Sequence, residues 1–259
     1  MCPYLIFQLP YLGEFVIPSY ALFAFVGLFF TMVFLYFRLQ KRGMPFYHFL
    51  LLMLILVIGV ALGSKALFVM TKLPEILQDF TLEKAIYIIW TSGFVFYGGL
   101  FGAIIGACLF ARIFSIPLKP FLDIIVPGFP LFHFWGRIGC FFAGCCYGKE
   151  ATWSVAMHME PDIPRIPVQL FEAACLLLIF GVLLLIDHKA NISISPLASY
   201  FLLYSVCRFV LEFFRGDDVR GILGVLSTSQ WISLGILAFI LCKVVAKRLR
   251  WVTQTRQSC

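Results

Sequence analysis

Fourteen consecutive residues, Gly136-Arg137-Ile138-Gly139-Cys140-Phe141-Phe142-Ala143-Gly144-Cys145-Cys146-Tyr147-Gly148-Lys149, set an arginine, four glycines and three cysteines at the end of an apolar run from Phe121 to Trp135. A guanidinium at membrane depth is costly, and it is kept where it faces a cavity, a partner or the headgroup zone. A second polar set, Tyr204, Arg208, Glu212 and Arg215, lies in a later apolar stretch. On one helix, the i, i+4, i+7 spacing puts Arg208, Glu212 and Arg215 on a common face, with Tyr204 one turn earlier. Arginine binds phosphate oxygens through bidentate, charge-assisted contacts. Arg137 and Arg208, with Lys65, therefore suit a phosphate-bearing ligand, and the two arginines would stabilise a phosphate that leaves with developing charge. Glu212 would hold the Arg208 fork. The plainer alternatives are a structural Arg208–Glu212 ion pair and an Arg137 that snorkels to water as an interfacial anchor.

The composition says what must position these groups. Of 259 residues, 62% are hydrophobic and 13% charged, and the mean hydropathy is +0.98. Soluble domains carry about 25% charged residues, so the fold class is an all-α polytopic membrane protein. A barrel is excluded by the scarcity of alternating segments. A spanning helix needs about 20 apolar residues. Seven stretches qualify: 18–37, 47–70, 95–113, 120–137, 168–186, 197–214 and 230–247. They form one transmembrane domain over 1–259, with an outer arm at 71–94 and a small outer head at 148–167. The N-terminus lacks the basic region and small-residue cleavage site of a signal peptide.

Basic residues set the orientation. Arg38, Lys41, Arg42, Arg112, Lys119, His188, Lys189, Lys243, Lys247, Arg248 and Arg250 all fall on one side, the cytoplasm by the positive-inside rule. The +7 net charge resides in these loops and the tail, so it does not call for nucleic acid. The N-terminus is then outside and the C-terminus inside, while Asp79, Glu83, Glu160, Asp162, Asp217 and Asp218 face outward. In this frame, Tyr20, Lys65, Tyr97-Gly98-Gly99, Arg137, Gln169, Glu172 and the Tyr204–Arg215 set come to a similar outer depth from six helices. Lipid tails can enter between helices at that depth, so the natural ligand is a phospholipid.

Tyr20, Tyr97 and Tyr204 taken singly are belt aromatics. Their shared depth with the arginines makes Tyr97 a candidate to orient a nucleophile or shuttle a proton. Gly98, Gly99, Gly102 and Gly106 let a neighbouring helix or a lipid come close. Cys108, Cys175, Cys207 and Cys242 sit in apolar runs as small hydrophobes. Cys140, Cys145 and Cys146 cluster, but their spacing matches no standard metal pattern and no nearby histidine completes a set. No metal or cofactor is expected.

The stretch Gly136 to Gly148 resembles the signature of the prolipoprotein diacylglyceryl transferase family. Ser19-Tyr20-Ala21-Leu22 is similar to that family's first-helix tyrosine motif. Gly63-Ser64-Lys65 resembles its Gly-x-Arg element, with lysine for arginine. Phe96-Tyr97-Gly98-Gly99-Leu100-Phe101-Gly102 resembles its His-Gly-Gly-Leu-x-Gly, and Arg165 to Glu172 its Arg-x-Pro-x-Gln-Leu-Tyr-Glu. Tyr204 to Arg215 resembles its sixth-helix motif, and Ser227-Thr228-Ser229-Gln230-Trp231 the start of its last helix. The resemblance implies a bacterial inner-membrane enzyme that moves the diacylglyceryl group of phosphatidylglycerol to a lipobox cysteine of a preprolipoprotein. The product is a thioether, and glycerol phosphate leaves. It also implies that Arg137 and Arg208 bind the phosphate, while Tyr20, Tyr204, Gly148 and Glu212 shape the site. Tyr97 stands where the family has histidine, Cys140 where it has asparagine and Cys145 where it has glutamate. The resulting site prediction has Arg137, Arg208, Tyr97, Tyr20 and Glu212 as catalytic. Tyr204, Lys65, Gly98, Gly99, Gly148, Gln169 and Arg215 bind substrate. Three other readings stay open: a related transferase with a different acceptor, a non-catalytic lipid-binding or transport protein, and a redox role for Cys140, Cys145 and Cys146.

Overall fold

The computed structural model describes residues 3–9, 13–78, 81, 96–157, 160–188, 195–216 and 222–257. An antiparallel hairpin, β1 (Tyr4–Leu9) with β2 (Gly13–Pro18), precedes the first helix. Eight helices follow among the described residues: α1 (Ser19–Lys41), α2 (Phe46–Gln78), α3 (Phe96–Ile113), α4 (Leu118–Ile125), α5 (Gly128–Ala143), α6 (Val168–His188), α7 (Pro196–Leu211) and α8 (Thr228–Gln257). Between α5 and α6 lies the antiparallel pair β3 (Glu150–Met157) and β4 (Glu160–Arg165), within the stretch expected as an outer head. A short hairpin, β5 (Ile222–Leu223) with β6 (Leu226–Ser227), leads into α8.

The protein is an all-α polytopic membrane protein. Among the described residues, five helical segments are long and apolar enough to cross a membrane: Ser19–Lys41, Phe46–Thr71, Val168–His188, Pro196–Phe214 and Thr228–Ala246. Gly98–Ile113 and Leu118–Ile125 make a sixth if they are one span, bent by 114°. Where seven spans are expected, five or six are found among the described residues. The difference lies in two stretches: 95–113 qualifies only when joined to Leu118–Ile125, and 120–137 is divided between α4 and α5 at Val126-Pro127. A residue before proline is disfavoured in α geometry, and Pro127 instead caps the next helix. The 16 residues of α5 rise about 24 Å at 1.5 Å each, short of a hydrocarbon core about 30 Å thick.

The chain falls into two compact units, Tyr36–Leu122 and the remainder, Met1–Leu35 with Asp123–Cys259. In the Tyr36–Leu122 unit, α2 packs on α3 through glycines. A Cβ on Gly102 would land on the Gly59 carbonyl, one on Gly98 would strike the Gly63 carbonyl, and one on Gly99 would crowd the Ser64 hydroxyl. Phe110 and Phe121 are buried here, their rings 5.7 Å apart.

In the other unit, α5, α6, α7 and α8 pack in sequence, and side chains cap the starts of α7 and α8. Asp123 Oδ1 accepts hydrogen bonds from the Ser195 hydroxyl and from Leu197 N (3.0 Å), satisfying the start of α7. Ser227 and Gln230 form a reciprocal box at the start of α8. Ser227 N donates to Gln230 Oε1 (3.0 Å), and Gln230 N to Ser227 Oγ (3.3 Å). Leu176 and Leu183 of α6 are fully buried.

Candidate active site

Glu172 is the hub of the polar site. It lies in the second turn of α6 and is 1% exposed. Arg137 Nε of α5 approaches its Oε2 at 3.0 Å, and Arg208 Nη1 of α7 approaches the same oxygen at 3.5 Å. Tyr204 OH donates to Oε1 at 3.2 Å. A carboxylate this buried is tolerable only when it is paired and hydrogen-bonded. Here the pairing carries three helices to one point.

Arg208 has a second carboxylate. Its Nη2 lies 2.9 Å from Glu212 Oε2 and donates to Ser229 Oγ at 3.4 Å. Glu212 is 3% exposed. The expected i, i+4 pair of Arg208 and Glu212 is therefore present, and Ser229 ties it to the first turn of α8. Arg208 Nη1 is buried and has no hydrogen-bond acceptor among the described residues, because its approach to Glu172 lacks hydrogen-bond geometry. An unfilled donor at the junction of two arginines is where an anionic oxygen would bind.

Arg137 also donates through Nε to His133 Nε2 at 3.2 Å, one turn back on α5. That nitrogen is an acceptor and carries no proton, so its 3.9 Å approach to Glu172 is not an ion pair. Both Arg137 contacts use Nε, and the terminal nitrogens of the fork take no part in them. The His133 and Tyr204 rings lie 5.5 Å apart, and Tyr200 stacks on Tyr204 at 5.8 Å.

The segment after α5 is folded tightly. Gly144 takes the left-handed conformation (φ 71°) that closes the helix, with Gly144 N bonded to Phe141 O and Cys145 N to Cys140 O. Gln169, 1% exposed, donates from Nε2 to Cys145 O at 2.7 Å. Cys146 is also left-handed (φ 59°). Its thiol is pulled well below the usual range, first by hydrogen bonds from the Cys140 and Cys145 thiols, with the Arg215 and Arg137 charges acting in the same direction.

Gly148 lies where three segments meet. Its N donates to Ile166 O (2.9 Å), Lys149 N to Phe214 O (2.8 Å) and Gly216 N to Tyr147 O (3.1 Å). A Cβ at Gly148 would collide with the Ile166 backbone. Arg165 lies over the Tyr147 ring at 4.5 Å and donates to Gly148 O.

The structure therefore brings together Arg137, Arg208, Glu212 and Tyr204 around Glu172, with Gln169 and Gly148 in the adjoining turn. Arg215 does not share the helical face expected from its spacing. The helix tightens into a 3₁₀ turn at Glu212–Phe214, and Arg215 is extended and bridged to Gly148. Tyr20 is 49% exposed; its backbone lies against Gly139, where a Cβ would come 3.3 Å from its Cα. No contact joins Tyr20 to Arg137 or Arg208 among the described residues. Lys65, Gly98 and Gly99 belong to the Tyr36–Leu122 unit. The Tyr97 side chain, and Asp79, Glu83, Asp217 and Asp218, lie outside the described residues. Sequence reasoning missed Glu172 and His133 as site residues. The available signals were the i, i+4 spacing of His133 and Arg137, and two arginines facing a single glutamate at the same depth.

The helices define a multi-pass membrane protein, and a buried arginine–glutamate cluster joins three of them. A family model described as prolipoprotein diacylglyceryl transferase matches residues 7–246, and the chain belongs to that family. Among similar proteins is phosphatidylglycerol–prolipoprotein diacylglyceryl transferase 2 of Clostridium perfringens, 36% identical over 187 residues, 70% of this chain and 72% of the relative. Phosphatidylglycerol–prolipoprotein diacylglyceryl transferases of Clostridium tetani and Idiomarina loihiensis are also similar. The first is 33% identical over 203 residues (76% of this chain, 80% of the relative) and the second 34% over 179 (66% and 67%). The relatives are bacterial, and this is a bacterial multi-pass membrane protein.

Proposed function

We propose that this protein transfers the diacylglyceryl group of phosphatidylglycerol to the lipobox cysteine thiol of a prolipoprotein. One observation carries the reading. Arg137 and Arg208, from separate helices, meet at the same oxygen of Glu172, at 3.0 and 3.5 Å. Sulfur attacks the glyceryl carbon that bears the phosphate, and a carbon–sulfur bond forms. The carbon–oxygen bond breaks with its electron pair going to the phosphate oxygen, the thiol proton passes to the departing phosphate or to water, and glycerol phosphate departs. The phosphodiester begins with one negative charge and leaves with more. Guanidinium contacts therefore strengthen as the bond breaks, which favours the transition state over the ground state. In this reading Glu172 and Glu212 aim the two forks, and Tyr204 fixes Glu172.

Family membership and the relatives' names support donor and acceptor alike. The loop charges support a location in the bacterial inner membrane with the N-terminus outside, the C-terminus cytoplasmic and the site toward the outer leaflet. Cysteine-accessibility labelling of the two termini in intact cells checks that orientation. The enzymatic reading is tested with purified protein in phosphatidylglycerol-containing nanodiscs and a lipobox peptide. Thioether product is expected, and Arg137→Ala or Arg208→Ala should lower turnover by at least about 100- to 1,000-fold with folding retained. Absence of product where a relative is active, or full activity in both variants, refutes it.

A further inference from the structure

Read along the chain, Cys140, Cys145 and Cys146 match no zinc pattern. The folded turn changes this. The αL residues Gly144 and Cys146 reverse the backbone directly after α5, and the three Sγ atoms lie within 4.8 Å of one another. No other such group of three occurs among the described residues. We propose that Cys140, Cys145 and Cys146 bind one Zn²⁺, or a cation of the same soft, tetrahedral class, as three thiolates, with the fourth position left to a ligand from outside the chain.

The geometry is close to what the ion needs. Zinc–sulfur bonds of about 2.3 Å at tetrahedral angles separate sulfurs by about 3.8 Å. Side-chain rotation alone supplies a contraction of that size. The ligand-bearing turn is already held. Gln169 clamps Cys145 O at 2.7 Å, Cys145 N is bonded to Cys140 O at 3.1 Å, and Gly216 N holds Tyr147 O at 3.1 Å. Outer contacts of this kind orient metal ligands. Cys140 is 8% exposed, whereas Cys145 and Cys146 are partly open, which gives an entry path. Three thiolates on a divalent ion leave a complex of net charge −1. Arg137, one turn before Cys140 on α5, and Arg215 are the cations that compensate it. Three protein ligands with one open position is the arrangement that zinc sites use to bind water or substrate.

The proposal does not rest on lipid transfer, and its test needs neither lipid nor peptide. Full-length protein purified without oxygen is loaded with Zn²⁺ and dialysed. Metal is counted per chain, and alkylation with and without a chelator is mapped by peptide mass spectrometry. The expected result is close to one Zn²⁺ per chain. Cys140, Cys145 and Cys146 should be shielded when loaded and labelled when stripped, and Co²⁺ should give sulfur-to-metal charge-transfer bands. Cys146→Ser should weaken Zn²⁺ binding by at least about 100-fold, since lost outer-shell partners alone cost 10- to 100-fold. Arg137→Ala should still bind the metal, though more weakly than the wild type, because the three thiolates remain. Negligible retained zinc, equal labelling with and without zinc, or a disulfide among the three thiols would each overturn the proposal. The labelling uses wild-type protein, so a variant that fails to fold does not decide the matter.

Discussion

The α2–α3 contact and the α5–α8 cluster bury their helices by opposite means. Where α2 meets α3, side chains are absent: Gly59, Gly63, Gly98 and Gly102 bring backbone against backbone. Around Glu172, long charged side chains fill the space, and two guanidiniums share one carboxylate oxygen. In lipid, apolar burial gives little drive to helix association, so close packing and polar contacts must supply it. The first contact has no room for added volume. The second depends on charges that are buried and paired.

Four substitutions break that contrast at different points. Glu172→Gln should have the largest effect, because removing one partner from a buried ion pair costs about 3–5 kcal/mol. Thermal unfolding in detergent should drop sharply, and transfer per folded molecule should fall as well. Tyr204→Phe deletes one hydrogen bond to that carboxylate, for a loss of about 1.5–3 kcal/mol and a smaller fall in turnover. Gly102→Leu forces a side chain into the Gly59 backbone and should destabilise by about 1–3 kcal/mol. Turnover per folded molecule should be largely kept; if activity falls in step with Arg137→Ala, the division between the regions is wrong. Ser227→Ala removes half of the α8 capping box, at about 1 kcal/mol, visible as a small downward shift in unfolding temperature.

Much of the site was legible because charge in an apolar run has few explanations. Arg137 and Arg208 stand out by composition, and the 3.6-residue repeat placed Tyr204, Arg208 and Glu212 on one face, as found. The same repeat misplaced Arg215, because a 3₁₀ turn advances the chain at three residues per turn and ends the face early. The stretch 120–137 reads as one span because hydropathy averages over Pro127, whereas the backbone does not. The β1–β2 hairpin was missed because its apolar residues blend into the first span. Glu172 was seen as a polar residue at the mouth of α6, but its role as the meeting point of α5 and α7 is a tertiary fact with no local trace. The convergence of Cys140 with Cys145 and Cys146 depends on two αL residues, one of them not glycine, and residue spacing alone does not announce it.

The capping of α7 by Asp123 has a mechanical consequence. That helix is pinned near one end, at Ser195 and Leu197, and near the other through Arg208 to Glu172 and Ser229. A piston-like slip of one turn, about 5.4 Å, would break both moorings together. The helix is thus a fixed post, moored at both ends against sliding along its own axis.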